Sequence, residues 1–121
     1  MKTKSTPILA IQLRLRVRVG DEIALGPGKV ELLELVRQTG SITEASKQMR
    51  MSYMRAWKLI QTMNQCFKEE LVLTSRGGKQ GGGAEITEVG RKALLLYQKM
   101  ERDSLRVCKG SRKSLQQLLR I

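Results

Sequence analysis

The sequence predicts a mainly α fold with a small β component, and three observations carry that reading. Residues 40–67, GSITEASKQMRMSYMRAWKLIQTMNQCF, describe two short helices joined by a tight turn. A strictly alternating run from Ile11 to Val19 precedes them, and two β-prone segments split by a glycine-rich loop follow. At 121 residues the chain is expected to be one domain with at most a short appendage.

Residues 1–25 are expected to form an N-terminal strand hairpin of that domain. Ile11, Leu13, Leu15, Val17 and Val19 alternate with Gln12, Arg14, Arg16 and Arg18, the period of two that a half-buried strand requires. Gly20-Asp21 supplies a turn, and Glu22 to Leu25 can return as a second strand. The arginine row reads as the solvated face of the sheet, since alternation needs polar residues there; contact with DNA is the rival reading.

Residues 26–87 hold the core. Gly26-Pro27-Gly28 punctuates the chain, and Pro27 suits the start of a helix. Lys29 to Gln38 carries Val30, Leu32, Leu33, Leu35 and Val36, a stripe wide enough to face a core. Gly40 can end this helix in the left-handed conformation of a C-cap. Ser41 and Glu44 then make a capping box, each side chain reaching the other's backbone N–H, and a short helix follows through about Met49. After Arg50-Met51, Ser52 offers a second N-cap to a helix reaching as far as Phe67. Ile42, Ala45, Met49, Met51, Ala56, Trp57, Ile60 and Met63 fall where a helix-turn-helix buries its inner faces, which assigns Trp57 to the core. Tyr53, Met54, Arg55, Lys58, Gln61 and Thr62 are left on a polar, basic outer face free to enter a major groove. The bland alternative is an ordinary helical hairpin, because the spacing is degenerate.

Leu71-Val72-Leu73 and Ala84 to Thr87 read as paired strands around the tip Arg76-Gly77-Gly78-Lys79-Gln80-Gly81-Gly82-Gly83. Such a hairpin beside the second helix of the pair is a wing, and its glycines let the backbone approach a phosphate closely. The loop lacks G-x-x-x-x-G-K-[ST], and no helix starts at the glycines, so a phosphate-cradling enzyme loop fails on pattern. A plain flexible linker is the remaining alternative. The whole is a winged helix-turn-helix with an N-terminal strand hairpin and a long C-terminal helix.

That last helix, residues 88–103, is capped by Thr87. Val89, Ala93, Leu96 and Met100 define its stripe, widened by Leu94, Leu95 and Tyr97. This exceeds what one small domain can cover, so the excess is assigned to a two-fold homodimer interface. Residues 104–121 form a basic tail, either a second short helix through Leu115, Leu118 and Leu119 or a segment that orders on DNA.

Charge narrows the partner. There are 23 Lys and Arg against 11 acids, a net charge of +12, which favours polyanions: DNA, RNA or an anionic membrane. Only 3% of residues are aromatic, too few for the stacking platforms that hold single strands and RNA. Cys66 and Cys108 lie far apart and there is no histidine, so neither a metal site nor another cofactor is expected, and the thiols read as reduced cytoplasmic cysteines. No apolar run approaches the roughly 18 residues that span a bilayer. The apolar stretch after Lys2 and Lys4 is broken by Gln12 and Arg14, unlike a signal peptide. No membrane partner is expected.

On these residues the chain resembles the N-terminal DNA-binding domain of the ModE-type, molybdate-responsive transcription regulators. The matching positions are Gly40-Ser41-Ile42, Ser52-Tyr53, Ala56-Trp57, Met63-Asn64, the wing Gly77-Gly78-Lys79-x-Gly81-Gly82-Gly83-Ala84, and Ile86-Thr87-x-x-Gly90. The resemblance covers roughly residues 10–103; LysR-type regulators share the winged core but not this glycine run. It implies a winged helix that dimerises through its N-terminal strands and long helix, and binds a palindromic operator on double-stranded DNA as a transcriptional regulator. The family's best-known members carry C-terminal molybdate-binding domains that would not fit in this chain, so molybdate binding is not expected here. Arg50 stands where the turn often has glycine; a positive φ there would cost about 1 kcal/mol.

The expected contacts follow. Ser52, Tyr53, Arg55 and Lys58 meet bases and flanking phosphates, with Arg55 the candidate bidentate partner of guanine. Ser41 and Thr43 hold a backbone phosphate at a helix start. Arg76, Lys79 and Gln80 of the wing reach an adjacent groove or backbone. The rivals are a nucleoid-type protein that binds DNA without sequence preference, a small enzyme using the glycine loop for phosphate, and a protein-interaction adaptor. The enzyme reading suffers from having no histidine and no nucleophile with a base nearby; none of the residues is assigned a catalytic role.

Overall fold

A computed structural model describes residues 8–75 and 83–121. In chain order the elements are β1 (Val17–Val19), β2 (Glu22–Leu25), α1 (Pro27–Thr39), α2 (Ile42–Gln48), α3 (Tyr53–Cys66), β3 (Val72–Thr74), β4 (Ala84–Ile86), α4 (Glu88–Val107) and α5 (Lys109–Gln116). β1–β2 and β3–β4 are separate antiparallel ladders. Three helices and the second ladder make a winged helix-turn-helix, as the pattern required.

The N-terminal strand is shorter than its alternation. β2 has four residues and reaches only Val17, with a bulge between Val17 and Arg18; residues 8–16 therefore run without a ladder. Their side chains still alternate: Ile11, Leu13 and Leu15 are half-buried while Gln12, Arg14 and Arg16 are exposed. This arm is held from outside, by the Tyr97 hydroxyl donating to the Leu15 carbonyl at 2.8 Å and by Arg112 donating to that of Leu9 at 2.9 Å.

Helix ends are set by local chemistry. Gly40 closes α1 at φ 67°, its N–H donating to the Val36 carbonyl. The Ser41 hydroxyl caps α2 by accepting the Glu44 N–H at 3.1 Å. The capping box is only half made, however: the Ser41 N–H donates to the Thr39 hydroxyl at 3.2 Å, which leaves no donor for Glu44. Glu44 instead lies 3.6 Å from Lys47. Arg50 in the turn does take φ 55°. Ser52 caps α3, accepting the Arg55 N–H at 3.1 Å.

The core closes around Leu32 and Leu33 of α1, Ala45 of α2, Ala56, Ile60 and Met63 of α3, and Leu71, all fully buried. One expectation needs correction. Trp57 is 37% exposed rather than core: the inward stripe of α3 is Ala56, Ile60 and Met63, and Trp57 sits one residue, about 100° of helix, off it. On α4 the helix turns Gly90, Ala93, Leu94 and Tyr97 inward, and Leu96 and Met100 of its apolar surface are 61% and 43% exposed. The contact of Gly90 with the β3 root explains that rotation, because a Cβ there would meet the Leu71 carbonyl oxygen at 2.3 Å. α4 also runs four residues past Asp103. Asp103 pairs with Lys99 at 2.6 Å and Arg106 at 3.0 Å along the helix, and such pairs support helical continuation. The tail forms α5 over Lys109–Gln116, with none of its residues buried, and that helix stops short of Leu118 and Leu119.

Candidate nucleic-acid interface

The first turns of α3 present a continuous outward face. Tyr53, Met54, Arg55, Trp57 and Lys58 are exposed, and Gln61 and Thr62, expected outside, are half-buried. The opposite face supplies the core, so the helix is fixed from behind while its polar side meets solvent. Ser52, Met54, Arg55 and Lys58 line one groove along this face. A second groove, which shares Arg55 and Leu59 with the first, brings in Arg14, Arg16 and Lys29 beside Met51. Arg55 thus stands on the ridge between the two.

The sequence-nominated residues divide into three groups. Ser52, Tyr53, Arg55 and Lys58 lie together in the first two turns of α3. Ser41 and Thr43 lie at the start of α2; Thr43 is exposed, and its carbonyl accepts from the Ser46 hydroxyl at 2.7 Å. They follow Gly40, whose carbonyl accepts the Ala84 N–H at 3.0 Å, so this group belongs to the wing root rather than to the α3 tip. Arg76, Lys79 and Gln80 lie outside the described residues.

Three features were not nominated as site residues. Trp57 adds an aromatic ring to the outer face; its place four residues after Tyr53 and four before Gln61 was the available signal. Asn64, noted only as a resemblance, ties α3 to the wing: its side-chain carbonyl accepts the N–H groups of Leu71 at 2.8 Å and Val72 at 3.2 Å, and its amide donates to the Val72 carbonyl at 3.0 Å. Arg14, Arg16 and Lys29 join Arg55 only in three dimensions.

The wing is built on this tie. β3 and β4 pair Val72 with Ile86, Leu73 with Glu85 and Thr74 with Ala84. Below the ladder the Thr87 hydroxyl caps α4 by accepting the Gly90 N–H at 2.9 Å, while donating to the Glu70 carbonyl at 2.7 Å. Among the described residues, no group of His, Cys, Asp and Glu could hold a metal ion, and no helix is long and apolar enough to cross a membrane.

Fold and face together define a winged helix-turn-helix domain. Two solved structures share that fold: ArgP from Mycobacterium tuberculosis, at 17% identity and a TM-score of 0.50 over 70% of this chain and 30% of that one, and full-length CbnR complexed with its target DNA, at 19% and 0.53 over 70% and 28%. No family model matches the chain. Curated relatives do. The chain is 41% identical over 78 residues to the molybdenum transport protein ModE of Azotobacter vinelandii, covering 64% of this chain and 29% of that protein. It is 34% identical over 99 residues to the transcriptional regulator ModE of Haemophilus influenzae, covering 82% and 37%. It is likewise 34% identical over 86 residues to the DNA-binding transcriptional dual regulator ModE of Escherichia coli K12, covering 71% and 33%. The domain belongs to the ModE type, and the chain spans about a third of the length of these relatives.

Proposed function

We propose that this domain binds double-stranded DNA as a transcriptional regulator, working as a homodimer on a palindromic operator. The observation that carries the reading is the first two turns of α3, which are exposed, cationic and rigidly backed by Ala56, Ile60 and Met63. The relatives' names as transcriptional regulators support it. In this reading Arg55 reads guanine, Ser52, Tyr53 and Lys58 fix register on bases and phosphates, and Trp57 joins them on the groove-facing side. Ser41 and Thr43 hold a phosphate near the wing root, and Arg76, Lys79 and Gln80 act from the wing. The exposed Leu96 and Met100 of α4, flanking buried Ala93, offer apolar surface for a second copy. Residues 17–25, 26–87, 88–107 and 108–121 then serve as hairpin, DNA-reading core, dimer helix and basic tail, with residues 8–16 as an arm ahead of the hairpin.

The domain is read as a non-enzyme acting in the cytoplasm. The molybdenum of the relatives' names is not carried over to these residues, and no molybdate site is assigned to them.

Selection of bound sequences from random DNA tests the reading, and the expected product is a palindrome with half-site centres about 34–36 Å apart. Arg55→Ala should then cost about 1–3 kcal/mol on the selected site and relax preference at one base position. A net charge of +12 also suits a binder indifferent to sequence; selection that returns no motif, with equal losses for Arg55→Ala on all duplexes, would favour that alternative.

A further inference from the structure

We infer that the N-terminal arm is a second DNA-contacting element, with Arg14 and Arg16 gripping the phosphate backbone beside the segment that α3 reads. The inference rests on the DNA-binding reading above. An open groove of about 420 Å³ runs between the arm and the start of α3, and its charged lining is Arg14, Arg16, Lys29 and Arg55 against Asp21 and Glu22. None of these four cations takes part in an ion pair among the described residues, where the paired bases are Arg37, Lys47, Arg91, Lys99 and Arg106. Lys29 is engaged only with the Ile23 carbonyl. With four cations against two carboxylates the lining keeps an excess of positive charge, and a polyanion relieves the repulsion within it.

Position selects DNA as the source of the phosphate. Arg55 lines both this groove and the groove along the α3 face, so whatever meets the outer face of α3 is brought alongside the arm. The wing is tied to α3 through Asn64, in the helix's C-terminal half, while the arm reaches its first turn. The two elements thus flank α3 at different ends. Residues two apart on extended backbone lie roughly 6.6 Å from each other, so Arg14 and Arg16 point the same way at separate phosphates. The alternation that looked like a solvated sheet face has no sheet behind it at these positions. What it does is hold Leu13 and Leu15 inward and keep the two guanidinium groups facing out.

The test is the salt dependence of duplex binding for the wild type, Arg14→Ala/Arg16→Ala and Arg14→Lys/Arg16→Lys. Each phosphate contact contributes about 0.9 to the slope of log K against log salt. The alanine pair should therefore flatten the slope by roughly 1.8 per protomer, with the ratio of operator to random-duplex affinity unchanged. The lysine pair should keep the wild-type slope, because charge rather than packing carries the effect. An unchanged slope in the alanine pair, or equal flattening in the lysine pair, overturns the inference while leaving the DNA-binding reading intact. Titration with inorganic phosphate separates the other source: saturable binding abolished by the alanine pair, with the DNA slope untouched, would also overturn it. A wild type that binds no duplex defeats both readings together.

Discussion

The wing root and the N-terminal arm both flank α3, but they are held in opposite ways. The wing root is fixed by directional hydrogen bonds to its backbone: the Asn64 side chain takes two N–H groups and one carbonyl, the Gly40 backbone carbonyl accepts from Ala84, and the Thr87 hydroxyl bridges Glu70 to the start of α4. The arm has no ladder and rests on half-buried alternate side chains plus two long-range hydrogen bonds, from Tyr97 and Arg112. Directional bonds at the wing root set its angle to α3 closely, whereas the arm follows wherever α4 and α5 carry it. One flank of the recognition helix is specified by its immediate neighbours, and the other by residues 82 and 103 positions away.

The largest effect should come from breaking the wing root at Gly90. An added Cβ would stand 2.3 Å from the Leu71 carbonyl oxygen and 2.8 Å from Ile86 Cγ1. The same oxygen accepts the Thr87 N–H, so it cannot retreat without losing that bond. Gly90→Ala should destabilise the domain by roughly 3 kcal/mol, at the upper end of overpacking costs, read as a drop in urea midpoint. Gly28→Ala is the control, since a Cβ there meets nothing within 4 Å. A midpoint for Gly90→Ala within error of the control would show that the close approach is not maintained in solution.

Next in size is Asn64→Ala, which strips three hydrogen bonds while leaving the β3 backbone in place. Partly buried N–H groups of Leu71 and Val72 would lose their acceptor, at a cost of about 2 kcal/mol. Faster amide exchange at Leu71 and Val72 should accompany that loss. Destabilisation without such local exposure would mean that Asn64 acts through α3 rather than through the wing.

The helix ends are legible in the sequence because their determinants are local. Ser41 and Ser52 announce helices that start at the next residue, Gly40 announces an end, and the apolar spacing from Ala56 to Met63 marks the buried face of α3. Where one residue shifts the answer by 100° of helix, apolar spacing misleads: it places Trp57 inward beside Ile60, whereas the ring lies on the outer face. What turns α4 to its actual face is Gly90 against Leu71, a contact between segments that no periodicity displays. The nominated residues of α3 do share one face, but the meeting of Arg14, Arg16 and Lys29 with Arg55 depends on how the arm lies across the domain. The alternation from Ile11 to Val19 established an extended chain with one greasy side and left its partner unspecified, so a full strand was expected where β2 pairs with only three residues.

Smaller than either, and the sharpest probe of the arm, is the effect of Tyr97→Phe. Removing the hydroxyl frees the Leu15 carbonyl and should cost about 1 kcal/mol, with the arm released toward proteolysis before the core is. The pH dependence reports the protonation of the hydroxyl. Burial, aided by the nearby charge of Glu101, raises the Tyr97 pKa above its ordinary 10.0, so the folded state favours the protonated hydroxyl. Its contribution is complete below about pH 10 and disappears as pH climbs through the higher folded value. The stability gap between wild type and Tyr97→Phe should therefore be constant from neutrality to about pH 10 and shrink above it. Arg112→Ala, which removes an exposed bond to Leu9 at the far end of the arm, should change stability by no more than roughly 0.5 kcal/mol. If Tyr97→Phe instead leaves stability and arm proteolysis unchanged at neutral pH, the ring's packing rather than its hydroxyl tethers the arm, and the contrast with the hydrogen-bonded wing root becomes sharper still.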